Sequence, residues 1–317
     1  MYDIIILGAG PAGLSAGIYA ARSKKKVLII EKAAPGGQMA ETISIENYPG
    51  FDKISGVELA IKMQDQAKSF GAEFVTDEVQ DLEIEGKIKK IKGKFGEYEG
   101  KSLIIAEGST PRPLGAKGEE EYKGKGISFC ATCDAAFYDG LEVYVIGGGD
   151  AAVQEALFIA NFASKVHIIH RRDQLRAAED LQTKAENNEK IDFIWNSQVT
   201  EVKGDKIVRS FVLKNLKTGE EKEINPGETF GLFVFIGYLP NTNLYKDILD
   251  LDDKGYIITD DEMKTKVEGV FAAGDIRSKT IRQVVTAAGD GAIAAMNAQR
   301  YVDAQEGNLY EGLKENK

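Results

Sequence analysis

The stretch Tyr2-Asp3-Ile4-Ile5-Ile6-Leu7-Gly8-Ala9-Gly10-Pro11-Ala12-Gly13 decides the fold. A short apolar run meets a Gly-x-Gly-x-x-Gly turn and continues in helix-like sequence to Arg22, which reads as strand, turn and helix. In such a turn the first Gly allows the tight bend, the second lets backbone approach a pyrophosphate, and the third lets the helix pack on the strand. The helix N-terminus then faces the anion. Val27 to Ile30 is the next buried-strand run, and it ends at Glu31, about 20 residues beyond the glycines, where a carboxylate can accept hydrogen bonds from a ribose.

The same plan recurs. Val143 to Ile146 is a strand, Gly147-Gly148-Gly149-Asp150-Ala151-Ala152 the turn, Val153 to Phe162 has helical spacing, and Val166 to Ile169 is a second strand. Gly8 and Gly147 are equivalent positions, so the expected class is α/β with two Rossmann-like dinucleotide-binding domains. The second unit ends differently: His170-Arg171-Arg172 stands where the first has Glu31. An acidic residue there repels a 2′-phosphate, whereas two guanidiniums favour it through charge-assisted hydrogen bonds. Arg176 reaches the same phosphate if the segment turns back. The alternative is a solvated basic patch; the reading favours NADP(H) over NAD(H).

Between and after these units, Ser55 and Glu58 have capping-box spacing and predict a helix to about Phe70, stopped by Gly71. Phe74 to Ala106 reads as hairpins and a return strand. Pro111 and Pro113 stiffen a connection near Gly115, and Pro240-Asn241-Thr242 is a second linker. Val270 to Ala273 is a strand, followed by Gly274-Asp275 and an Ala-rich helix from about Arg282 to Val302. On its motif alone Asp275 is a helix-start residue or a ligand contact.

Cys130-Ala131-Thr132-Cys133 is a redox-type Cys-x-x-Cys. In this spacing one thiol commonly has a lowered pKa, so its thiolate attacks a disulfide and is resolved by its neighbour. Asp134 follows directly and can shuttle the proton that thiol and thiolate exchange, a role helped by partial burial; otherwise it is a turn or cap residue. With two Cys and two His in the chain, a structural four-ligand zinc site cannot be assembled, and no metal is expected. His167 and His170 face opposite ways on one strand and are not a ligand pair.

A chain of 317 residues accommodates about two domains, and 43% apolar with 28% charged residues is ordinary globular usage. The net charge of -10 argues against a polyanionic partner, so nucleic acid is not expected. No apolar stretch approaches the roughly 20 residues of a membrane span, and the N-terminus lacks a basic region and a small-residue cleavage site. A cytoplasmic protein without membrane partners follows as the expectation.

These residues in this order resemble the low-molecular-weight, bacterial-type thioredoxin reductases. The resemblance rests on Gly8 to Leu14, Pro35-Gly36-Gly37-Gln38, Glu46-Asn47-Tyr48-Pro49-Gly50, Cys130 to Asp134, Gly147 to Asp150, His170-Arg171-Arg172 with Arg176, and Gly274-Asp275 with Arg282-Gln283. It implies a discontinuous FAD-binding domain, 1–115 and 244–317, with an NADPH-binding domain, 116–243, carrying the redox disulfide inserted into it. It implies FAD contacts from Gly8, Gly10, Pro11, Ala12, Gly13, Glu31, Lys32, Gly37, Gln38, Asn47, Gly274, Asp275, Arg282, Gln283 and Val284. NADPH would meet Gly147, Gly149, Asp150, Ala151, Ala152, His170, Arg171, Arg172 and Arg176. Cys133 would face the flavin, Cys130 would attack a partner disulfide, and Asp134 would be the acid. A homodimer acting on thioredoxin or a thioredoxin-like protein is implied.

Cysteine pair and nicotinamide fingerprint fall in the same inserted segment, and each must meet the flavin. The expected device is a rotation of that segment about its two linkers. Three positions depart from the family pattern: Glu107 in place of Thr, Ala135 in place of Gly, and Ala151 in place of Ser or Thr, the last losing a phosphate-bonding hydroxyl worth about 1 kcal/mol. The alternatives are the same fold feeding a glutaredoxin-like or peroxiredoxin system, or driven by ferredoxin, against which Arg171 and Arg172 weigh. From another class comes a flavin-binding redox sensor.

Overall fold

Ile4, Ile5, Ile6 and Leu7 are all fully buried because strand β1 (Tyr2–Leu7) is covered on both faces, the usual condition of a parallel sheet. The computed structural model describes residues 1–42, 45–227 and 229–308. The described residues divide into two compact units: 1–42, 48–110 and 239–308 form the first, and 111–227 and 229–238 with the short segment 45–47 the second.

In the first unit, helix α1 (Pro11–Arg22) returns the chain to strand β2 (Val27–Glu31), which pairs parallel with β1. Helix α2 (Gly56–Ser69) starts at Ser55, whose side chain accepts from the Glu58 N–H at 3.1 Å, and leads to strand β3 (Glu73–Thr76) beside β2. Strands β4 (Val79–Glu83), β5 (Lys89–Gly93) and β6 (Glu97–Ile105) then run as an antiparallel meander. β6 is long enough to serve two partners along one edge: residues 97–100 pair with β5, and 103–105 are left for a later strand. Its other edge pairs parallel with β1. Lys89, fully buried, donates to the carbonyls of Ile84, Gly86 and Glu268, each at 2.7 Å, and so pins the β4–β5 turn.

Strand β7 (Ser109–Pro111) is the first crossing between the units. In the second unit, the helical turn α3 (Glu119–Tyr122) precedes the two-residue strand β8 (Ile127–Ser128), and the turn α4 (Ala131–Asp134) carries the cysteines. Strand β9 (Glu142–Ile146), helix α5 (Asp150–Ile159), strand β10 (Lys165–Ile169), helix α6 (Glu179–Glu186) and strand β11 (Ile191–Ile194) follow. Strands β12 (Ser197–Gly204), β13 (Val208–Asn215) and β14 (Glu221–Ile224) form an antiparallel three-stranded sheet, and β15 (Gly231–Val234) completes the parallel sheet β11-β10-β9-β15-β8. The period-2 alternation of β9 explains the layers. Val143 and Val145 pack with α5, whereas Tyr144 and Ile146 pack with Val199, Val202 and Phe211 of the smaller sheet.

Strand β16 (Tyr238–Pro240) pairs with β7 as a two-stranded ribbon, and the chain then re-enters the first unit. The division thus falls at Thr110/Pro111 and Tyr238/Leu239, earlier than the prolines and glycines of the two linkers suggest, because the ribbon itself is the connection. Strand β17 (Val270–Ala272) takes the free part of the β6 edge, and helix α7 (Val284–Gln305) closes the fold against α1. α7 begins at Val284, later than Arg282, because Gln283 is its N-cap in a reciprocal capping box with Thr286. Among the described residues no helix is long and apolar enough to cross a membrane, and no group of acidic, His and Cys side chains is arranged to hold a metal ion.

Candidate active site

The first glycine turn is built as the sequence requires. Gly8 has φ +97°, and a side chain there would collide with Ala106 and Glu107 at the end of β6. A β-carbon on Gly13 would lie 1.9 Å from the Gly8 carbonyl oxygen, so only Gly lets α1 start this close to β1. Gly10 is the N-cap and Pro11 opens the helix, where its missing N–H costs nothing. Above Gly10 there is open space. Glu31 closes the turn: its carboxylate accepts from the Ala9 N–H at 2.7 Å and from the Ala33 N–H at 3.0 Å, with lone pairs left for a further donor.

Packing brings the late residues to this turn. Ala12 lies against Gly274 and under Gly291 of α7, where a β-carbon would be 2.1 Å from the Ala12 carbonyl oxygen, and Ser15 donates to Ala288 O at 2.7 Å. Gly274 donates its N–H to Asp290 at 3.1 Å, and Asp290 also takes Lys279 at 2.9 Å and Arg277 at 3.3 Å. Beside it, Oδ1 of Asp275 and Nε of Arg282 are buried without a hydrogen-bond partner. Burial pushes the Asp275 carboxyl up, against the pull of Lys279 and Arg282. The Arg282 guanidinium sits 4.2 Å over the Tyr256 ring. Gln38 donates to the Ser109 carbonyl, and the Gln283 side chain accepts from the Thr286 N–H in its capping box. Lys32 and Gly37 are exposed, and Asn47 falls in the segment grouped with the second unit. An open second glycine, a carboxylate at the end of β2 and orphaned buried polar atoms at Asp275 and Arg282 fit a bound flavin dinucleotide.

Glu107, without an account from sequence, lies under this turn. The Tyr245 hydroxyl donates to its Oε2, and Tyr245 is fully buried. Burial pushes the Glu107 carboxyl up; the Tyr245 bond and Lys32 pull it back, and Glu31 adds to the rise.

The second turn repeats the first with Ala152 at the third position. Gly149 is the N-cap of α5, with open space above it, and Ala151 is exposed. Asp150 is tied to the Ala178 N–H at 2.7 Å. The segment after β10 does turn back: the Arg176 N–H donates to the Gly148 carbonyl at 2.7 Å. His170 is buried beneath the turn, its ring occupying the space a β-carbon on Gly148 would need, and its Nε2 has no partner. Burial pushes the His170 pKa down, and Arg176, Arg171 and Arg172 add to the shift, so the ring stays neutral beside the cations. All three arginines are exposed, and none takes an ion pair among the described residues. An open glycine N-cap, with three exposed arginines on the segment that folds back to the turn, fits a nicotinamide dinucleotide with a 2′-phosphate.

Cys130 and Cys133 are joined as a disulfide across α4, with Cα atoms 5.3 Å apart. Asp134 is half-buried, and burial pushes its carboxyl above the usual range while a hydrogen bond from Ser128 pulls it back. Tyr138, near it, is pushed up to about 12 by burial and then by the Asp134 charge. The Tyr238 hydroxyl donates to the Phe129 carbonyl at 2.9 Å and holds the strand leading into the cysteines.

Sequence reasoning missed Ser128, Tyr245 and Asp290. Asp290, a lone carboxylate in an Ala- and Gly-rich helix stretch, carried a usable signal; a Ser and a Tyr in ordinary surroundings did not.

Two dinucleotide-binding folds in one chain, the second bearing a Cys-x-x-Cys disulfide beside a half-buried carboxyl, define a nucleotide-dependent disulfide oxidoreductase. The chain belongs to the pyridine nucleotide-disulphide oxidoreductase family, whose sequence model matches residues 2–291. It is 56% identical over 308 residues to the thioredoxin reductase of Peptoclostridium acidaminophilum, covering 96% of this chain and 98% of that one. It is 48% identical over 316 residues to the thioredoxin reductase of Bacillus subtilis (strain 168), covering 99% and 98%. The crystal structure of thioredoxin reductase from Streptococcus pyogenes MGAS5005 matches with a TM-score of 0.90 at 48% identity, covering 96% of this chain and 99% of that one.

Proposed function

We infer that this protein is an NADPH-dependent thioredoxin-disulfide reductase. The observation that carries the reading is the Cys130–Cys133 disulfide, flanked by a half-buried, hydrogen-bonded Asp134, in the same unit as the second glycine turn and its three arginines. When bound, FAD supplies the two-electron relay between nicotinamide and disulfide.

The residues of the chain do the rest. Two electrons and two protons open the Cys130–Cys133 bond to a dithiol. Cys130, as thiolate, attacks one sulfur of the oxidised partner; the partner S–S bond breaks, a mixed disulfide forms, and the leaving sulfur takes a proton from Asp134. Cys133 then gives up its thiol proton and attacks Cys130 Sγ, which closes the disulfide again; the Cys130–partner bond breaks, and the departing partner sulfur takes up the proton that Cys133 released, so that both partner sulfurs leave as thiols. Arg171, Arg172 and Arg176 select the 2′-phosphate. The second unit turns about the β7–β16 ribbon so that its nicotinamide site and its cysteine pair meet the flavin alternately, and the working form is a cytoplasmic homodimer.

The test is NADPH oxidation with thioredoxin as acceptor, beside NADH and a Cys133→Ser variant. Thioredoxin-dependent turnover that prefers NADPH and vanishes in the variant is expected. Flavin reduction by NADPH without gain by thioredoxin would move the search to another carrier. Cross-linking the ribbon connections is expected to leave flavin bound and stop turnover; unchanged turnover rules out the rotation.

A further inference from the structure

Ser128 is a group beside the disulfide that the reaction above leaves unused. It ends β8, is 4% exposed, and makes three contacts around the cysteines. Its hydroxyl donates to Asp134 Oδ2 at 2.6 Å and accepts from the Cys130 N–H at 3.1 Å; the Cys130 carbonyl, at 3.3 Å, is a longer second acceptor. A hydroxyl has one proton and two lone pairs, so the short contact to the carboxylate takes the proton while a lone pair receives the Cys130 N–H.

We propose that Ser128 is a positioning residue for disulfide exchange: it occupies Asp134 Oδ2, leaving Oδ1 to carry and deliver the proton, and ties that orientation to the Cys130 backbone. The proposal rests on the reading of Asp134 as the acid. Burial alone drives the Asp134 carboxyl upward, and the Ser128 bond stabilises its charged form, so the hydroxyl also sets the pH at which the proton is released. The titratable groups on the elements beside it are Tyr138, Asp150 and Glu155. Tyr138, in the turn after α4, is pushed up to about 12 and stays neutral. On α5, which packs against α4, Asp150 is bonded to the Ala178 N–H, and Glu155 is pushed up by its own burial.

The experiment titrates the Asp134 carboxyl directly by its infrared C=O stretch, with Asp134→Asn as the blank, in the wild type, Ser128→Ala and Ser128→Thr. It runs beside the pH profile of thioredoxin reduction by the pre-reduced holoenzyme. Ser128→Ala is expected to move the carboxyl titration and the alkaline limb of the profile upward together, by on the order of one pH unit, the worth of one charge-assisted hydrogen bond. Ser128→Thr, which keeps the hydroxyl, is expected to leave both in place. A Ser128→Ala carboxyl that titrates as in the wild type overturns the proposal, and so does an equal shift in Ser128→Thr, which would make the effect one of packing. If thioredoxin is not the acceptor, the infrared titration still reads the Ser128 effect, so the two readings fail separately.

Discussion

Glu107 shows how one residue can load a fold with pH dependence. Its raised carboxyl pKa means the folded protein holds the proton more tightly than the unfolded chain. Stability therefore falls as pH rises from the ordinary carboxylate range through the raised one. Glu107→Gln keeps an acceptor for the Tyr245 hydroxyl and removes the charge. Thermal melts of the flavin-loaded protein are expected to place the variant roughly 2–4 °C above wild type at pH 8, equivalent to about 1 kcal/mol in a chain of this size, with the gap closing toward pH 5. An equal gap at both values would assign the effect to shape and not to charge.

At the scale of elements, the two glycine turns separate folding from binding. Gly13→Ala forces a methyl into the Gly8 carbonyl, a backbone atom that cannot swing away, and prises α1 from β1. It is expected to cost about 1–3 kcal/mol and to lower the flavin retained on purification, read from the visible-to-ultraviolet absorbance ratio. Gly149→Ala meets nothing within 4 Å, so its melting temperature is expected to match wild type. Its methyl occupies the path by which a pyrophosphate reaches the α5 N-terminus, and the KM for NADPH is expected to rise about tenfold.

For the whole molecule, the net charge of -10 and the arginine cluster oppose one another: an acidic protein must still capture a polyanionic nucleotide. Arg171, Arg172 and Arg176 make that possible locally, each without an ion-pair partner among the described residues. Replacing Arg171 and Arg172 together by Ala is expected to reduce the NADPH-to-NADH ratio of kcat/KM by about 100-fold, at roughly 1.5 kcal/mol for each charged hydrogen bond, while kcat with NADH is unchanged. Steady-state assays with both nucleotides at two ionic strengths check this, and the NADPH preference of the wild type is expected to weaken as salt rises.

Both βαβ units, the swap of Glu31 for His170-Arg171-Arg172 and the redox spacing of Cys130 and Cys133 were legible in the sequence. They depend on periodicity, turn chemistry and spacing within about 30 residues, where local sterics dictate the outcome. The folding back of Arg176 was legible only as a condition, and the burial of His170 under Gly148 not at all. Tertiary structure alone decided that Asp290 braces Gly274, that Tyr245 bonds Glu107 138 residues away, and that Ser128 holds Asp134. Such partners are chosen by which surfaces pack together and which buried polar atoms must then be satisfied, and that choice is made only once the sheets and helices have closed on one another.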